Sequence, residues 1–183
     1  MTEDKKHADI FIKYLQDSSD RIINAAVIAL GKSKSPKAYA MLIKLKDKPS
    51  WKNQSLISTL NGLKELGNPK GSALAIEALA DLYAPRWSLD THIWDFRLAA
   101  AETLAALVQT DKAYHMLIDR FKQSLESKDH NVTFNNLLLI TTLGNPKGIK
   151  AFEWLKEIYQ DEEAMLELIT SYKIPFLEAL TPK

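Results

Sequence analysis

The chain contains no cysteine. That excludes a disulfide framework, thiolate metal sites and a thiol nucleophile, and leaves the compartment open. Its six glycines are scattered over turns and helix ends, so no glycine-rich loop is available to cradle a phosphate. No Gly-x-Ser-x-Gly elbow is present. The four histidines, His7, His92, His115 and His130, lack a second histidine or a carboxylate at a recurring metal-ligand spacing. No cofactor is therefore expected within this chain. Apolar runs fall short of the length that spans a bilayer, which argues against membrane insertion. The N-terminal residues MTEDKKHADIF mix acids and bases and do not read as a signal peptide. Charge of either sign is also in short excess: 24 Lys and Arg against 23 Asp and Glu give a net charge of +1. No global field recruits nucleic acid, and none is expected as a partner.

What is present is apolar periodicity. A length of 183 residues, 46% of them hydrophobic, suits one domain or one array with a sizeable core. The stretch Ser18–Lys48 sets the pattern. Ile23, Ala26, Val27 and Leu30 fall at i, i+3, i+4 and i+7, the spacing of one helical face. Ile22, Ala25 and Ala29 make a neighbouring apolar face, so this helix needs cover on two sides. Ala38, Met41, Leu42 and Leu45 repeat the period in a second helix. Between them stands Ser35-Pro36, a good N-cap followed by the residue favoured at the first helical position.

That turn recurs. Ser35-Pro36-Lys37-Ala38 is followed by Asn68-Pro69-Lys70-Gly71, Thr110-Asp111-Lys112-Ala113 and Asn145-Pro146-Lys147-Gly148. Their lysines are separated by 33, 42 and 35 residues. Two helices per period of this size mark an α-solenoid. Pro36, Pro69 and Pro146 thus have structural roles, and capping accounts for the Asn-Pro helix starts without an anion.

The expected architecture is all-α, with about ten helices. Four helix-turn-helix units cover roughly 18–48, 50–83, 94–127 and 130–160 of a single repeat domain spanning 1–183. A helix over 4–16 precedes them and a capping helix over 162–180 follows. The opening helix has no partner before it, so its apolar face is expected to lie uncovered. Leu56, Leu60 and Leu63 line unit two; Ala100, Leu104, Leu107 and Val108 line unit three; Phe134, Leu137, Leu138 and Leu143, then Ala151, Trp154, Leu155 and Ile158, line unit four. Arg97 is expected to be a structural cation. In the last helix Met165, Leu168, Ile169, Tyr172 and Phe176 form the inward stripe, and Pro175 is expected to kink or end it. An insertion over 84–93, within Ala84–Trp94, breaks the rhythm. Arg86, Trp87, His92 and Trp94 there either form an interaction surface or fill a gap between imperfectly stacked repeats, the second being preferred.

Two resemblances follow from these residues. AAVIALGKSKSPKA, from Ala25 to Ala38, resembles a HEAT-like repeat, as does Arg97 with AAAETLAAL. Ser58-Thr59 and Asn135-Asn136 depart from it by replacing alanines. More broadly, DSSDRIINAAVIALGKSKSPKA, PSWKNQSLISTLNGLKELGNPKG and the run Trp94–Leu104 resemble the C-terminal helical region of bacterial aminopeptidase N-type zinc metallopeptidases. In that family an upstream domain carries a His-Glu-x-x-His zinc helix and a Gly-x-Met-Glu-Asn loop. Neither motif occurs here, so no catalytic residue transfers to this chain. The resemblance implies a non-catalytic solenoid that packs on the catalytic domain and helps wall its cavity, the zinc belonging to that domain. A free-standing scaffold that binds another protein is the alternative.

Overall fold

The computed structural model describes residues 7–80 and 96–180. Among these residues there are ten α-helices, three short 3-10 turns and no strand. The chain divides into two compact units, residues 1–108 and 109–183. The division falls between the two helices of the third expected hairpin.

The first unit holds α1 (Ala8–Tyr14), α2 (Asp20–Lys32), α3 (Ala38–Leu45), α4 (Gln54–Leu66), α5 (Ser72–Ala80) and α6 (Phe96–Ala106). The stripe of Ile23, Ala26, Val27 and Leu30 is buried, as its spacing requires. α2 packs against both α1 and α4, and α4 in turn against α3 and α6. The leading helices of successive hairpins are therefore neighbours, in the order α2, α4, α6. Each of the two inner contacts has its own chemistry. At the first, Gly31 faces Gly62: a Cβ on Gly31 would run into the Gly62 carbonyl and lie 2.8 Å from the Glu65 Cβ. A Cβ on Gly62 would meet Val27 Cγ1 at 2.6 Å. At the second, Thr103 Oγ1 lies 3.1 Å from the Leu60 carbonyl and 2.7 Å from that of Ala99. Thr59 does the same toward Leu42 and Ser55, at 3.3 and 2.8 Å. The buried hydroxyl of Thr59 is satisfied by the carbonyl four residues back.

Leu104 and Leu107 are buried in this unit. Val108, expected on the same face, is not: α6 ends at Ala106 and Val108 is 83% exposed at φ 56°. The left-handed turn swings its side chain outward.

The second unit holds α7 (Asp111–Glu126), α8 (His130–Leu143), α9 (Ile149–Ile158) and α10 (Glu163–Leu180). α8 packs against α7 and α10, and α9 against α10. Phe121, Leu137, Phe152, Leu155 and Phe176 form its centre. The last helix keeps the expected span, since Pro175 does not end it and it continues to Leu180. Proline removes one hydrogen bond, to the carbonyl of Ser171, and Ser171 is exposed. Its buried residues are Ile169 and Phe176 alone, flanked by half-buried Met165 and Tyr172. Leu168, expected among them, points outward, as does Ile158 at the end of α9.

The hexapeptide Leu-Gly-Asn-Pro-Lys-Gly occurs twice, at 66–71 and 143–148, and folds alike in both units. Gly67 and Gly144 end their helices at φ 67° and 64°, a left-handed cap that glycine adopts without strain. Asn68 and Asn145 each accept a 3.0 Å hydrogen bond from the backbone of the lysine two residues on. Proline then starts a 3-10 turn. A Cβ on Gly148 would sit 2.8 Å from Ile140 Cγ2, so the chain there needs the smallest residue.

Candidate interaction surfaces

The described residues contain no group of three or more His, Asp or Glu side chains placed to hold a metal ion. Two kinds of surface stand out among the described residues.

The first lies at the hairpin turns, taken within each unit. The residue after each turn lysine is small and buried: Ala38, Gly71, Ala113 and Gly148. Ala8 opens α1 in the same way. Where the small residue is alanine, the residue after it reaches the next turn. Tyr39 donates its hydroxyl hydrogen to the Lys70 carbonyl at 3.4 Å, and Tyr114 donates to the Lys147 carbonyl at 3.0 Å. Asp9 stands at the corresponding place in α1 and pairs with Lys37 at 2.8 Å. The turn lysines are thus partly engaged by the preceding hairpin rather than presented as a free ladder. In the second unit this contact grows into a network. Asn145 Nδ2 donates to Thr110 Oγ1 at 3.0 Å and to Asp111 Oδ1 at 3.1 Å, and Lys147 Nζ reaches the same carboxylate at 3.0 Å. The lysine and the amide hold the Asp111 carboxyl below its ordinary value. Thr110 stands at the N-cap of α7 without a side-chain cap bond, and its hydroxyl accepts from Asn145.

In the first unit Ser35 plays its expected part weakly, accepting from the Lys37 backbone at 3.4 Å. The α-helix proper begins at Ala38, two residues beyond Pro36. Pro69 and Pro146 open their turns as expected.

The second kind is uncovered apolar surface. Ile10 and Tyr14 of α1 are 51% and 47% exposed, and Ile174 and Leu177 of α10 are 53% and 46% exposed. Leu168 of α10, Ile22 of α2 and Ile158 of α9 are also exposed. Between α1 and α3 a cavity of about 360 Å3 opens, with Ile12, Leu15, Met41 and Leu45 in its walls beside Lys44 and Lys48. Trp51, on the 3-10 turn Trp51–Asn53, is a further exposed aromatic. Sequence reading passed over it: its only signal was an indole directly after the Pro49-Ser50 cap.

Arg86, Trp87, His92 and Trp94 lie outside the described residues. Arg97 is half-buried on α6. His130 bonds through Nδ1 to the Tyr159 hydroxyl at 2.7 Å, joining the start of α8 to the end of α9. Burial pushes that phenol above its ordinary value, and Glu162 adds to the shift. No described helix is long and apolar enough to cross a membrane. A scan against protein-family models finds no match, and a search of curated proteins finds no matching sequence.

Proposed function

We propose that this chain is a non-catalytic helical-repeat module, an α-solenoid of HEAT-like hairpins, whose work is to pack against another folded surface. The observation that carries this reading is the open face of α1 beside its cavity. Units that hide their apolar sides only on neighbours leave such a face where a stack stops. The recurrence of the small buried residue, with Asp9, Tyr39 and Tyr114 each reaching the following turn, supports the tandem arrangement.

The sequence resemblance makes the catalytic domain of a bacterial aminopeptidase N-type zinc metallopeptidase the first candidate for that surface. This chain would then wall the cavity, and the zinc would belong to the other domain. The genomic reading frame upstream of Met1 tests it. A His-Glu-x-x-His helix and a Gly-x-Met-Glu-Asn loop are expected there; a frame encoding neither contradicts the peptidase assignment. Zinc-dependent aminopeptidase turnover by the isolated chain contradicts the non-catalytic one.

A free-standing protein-binding scaffold is the second reading, favoured by the exposed indole of Trp51. Trp, Tyr and Arg dominate interface hot spots. Pull-downs with wild type, Trp51→Ala and Trp87→Ala decide it: equal recovery of every partner by all three excludes both indoles as anchors.

A further inference from the structure

The exposed faces of the first and last helices differ in more than position. On α1, Ile10, Lys13 and Tyr14 fall at i, i+3 and i+4 and share one exposed face. Lys44 and Lys48 flank the adjoining cavity, where Asp47 is already paired with Lys46 at 2.7 Å. Residues 8–48 carry eight Lys and Arg against four Asp and Glu. On α10, Glu163, Glu167, Thr170, Ile174 and Leu177 fall at i, i+4, i+7, i+11 and i+14, and all are exposed. That stripe is acidic in its first half and apolar in its second. Residues 149–180 carry three Lys against seven Asp and Glu. Glu167 lies seven residues, about 10 Å along the axis, before Ile174.

We infer that the α10 stripe of one copy docks on the α1 face of a second copy, so that the separate chain associates head to tail. Ile174 and Leu177 would cover Ile10 and Tyr14 and reach the cavity, while Glu163 and Glu167 meet the lysines. Self-pairing of two α10 stripes brings no unlike charges together: parallel, it sets Glu163 and Glu167 against the same two acids, and antiparallel, it lays them on Ile174 and Leu177 of the other copy. Pairing of two α1 faces brings lysines together in the same way. Only the unlike pairing buries apolar surface and opposes charges at once. A heterologous contact of this kind leaves each copy with one free end, so it propagates or closes into rings. The inference concerns this chain alone and does not rest on the peptidase reading; either can fail without the other.

Sedimentation velocity on the full chain tests it, with two variants. Ile10→Glu/Tyr14→Glu blocks the α1 face; Ile174→Lys/Leu177→Lys blocks the α10 stripe. All four positions are exposed, and circular dichroism checks that each variant keeps the wild-type helix content. Wild type is expected to gain mass with concentration to at least twice the monomer, and less so in high salt. Each variant alone should remain monomeric, while an equimolar mixture of the two should form dimers and stop there. A wild type that stays monomeric at every concentration overturns the inference. So does a variant mixture that shows no more association than its parts, which would assign any wild-type dimer to a like-with-like contact.

Discussion

The hydroxyl of Tyr114 donates a 3.0 Å hydrogen bond to the backbone carbonyl of Lys147, joining two hairpin turns of the second unit. In the first unit Tyr39 makes the same contact to Lys70 at 3.4 Å. Tyr114 is buried and Tyr39 only half so. A hydrogen bond of this kind contributes about 1 kcal/mol net, more when its loss strands a buried carbonyl. Tyr114→Phe is therefore expected to lower stability by about 1 kcal/mol, and Tyr39→Phe by less. Urea denaturation of both variants checks the order; a larger loss for Tyr39→Phe would contradict it.

Gly31→Ala sets two effects of opposite sign against each other. Alanine favours a helix interior over glycine by about 1 kcal/mol. Against that, the new methyl would meet the Gly62 carbonyl and the Glu65 Cβ, forcing α2 and α4 apart. Overpacking of this sort costs about 1–3 kcal/mol, and more where backbone is the obstacle. The variant should melt below wild type. A melting temperature at or above wild type would mean that the two helices separate freely.

Val108 sits at φ 56°, a backbone region in which a β-branched residue is strained. Its side chain is exposed, so little packing is lost on removing it. Val108→Gly relieves about 1–2 kcal/mol of strain and gives back part of it as unfolded-chain entropy. The net expectation is a gain of up to about 1 kcal/mol, read as a raised melting temperature. Destabilisation would show that the valine side chain makes contacts worth more than its strain.

Asp111 is held below its ordinary value of 3.8 by hydrogen bonds from Lys147 and Asn145 and by the charge of Lys147. A carboxyl lowered in the folded state stabilises it fully above the unfolded value and loses that contribution as pH falls through the folded one. Asp111→Asn should therefore melt below wild type at neutral pH, with the gap closing as pH drops below 3.8. A gap independent of pH would mean that the carboxylate charge plays no part.

Much of the local structure was legible in the sequence, because its signals are local. Leu-Gly-Asn-Pro-Lys-Gly writes a left-handed cap, an asparagine cap and a proline start into consecutive residues, and both copies obey it. The apolar stripe of α2 was readable for the same reason. What was not readable depends on partners far along the chain. Gly31 and Gly62 are 31 residues apart, and nothing near either one announces that their helices touch. Asn145 looked like a simple cap, yet its second function lies at Thr110 and Asp111. Leu168 fitted the stripe of α10 about as well as Met165, and only the position of α8 and α9 chooses between them. Of the candidate surfaces, the apolar face of α1 was expected to lie uncovered, and Ile10 and Tyr14 are exposed. The apolar second half of the α10 stripe was not, because Pro175 was expected to kink or end the helix there.

Native-state hydrogen exchange, at a concentration where the chain is monomeric, tests most directly whether these hairpins are held by their neighbours. Stacking predicts the slowest exchange in α4 and α8, which have helices packed on more than one side, and the fastest in α1 and α10, which face solvent. Protection of α1 and α10 equal to that of α4 and α8 would contradict it.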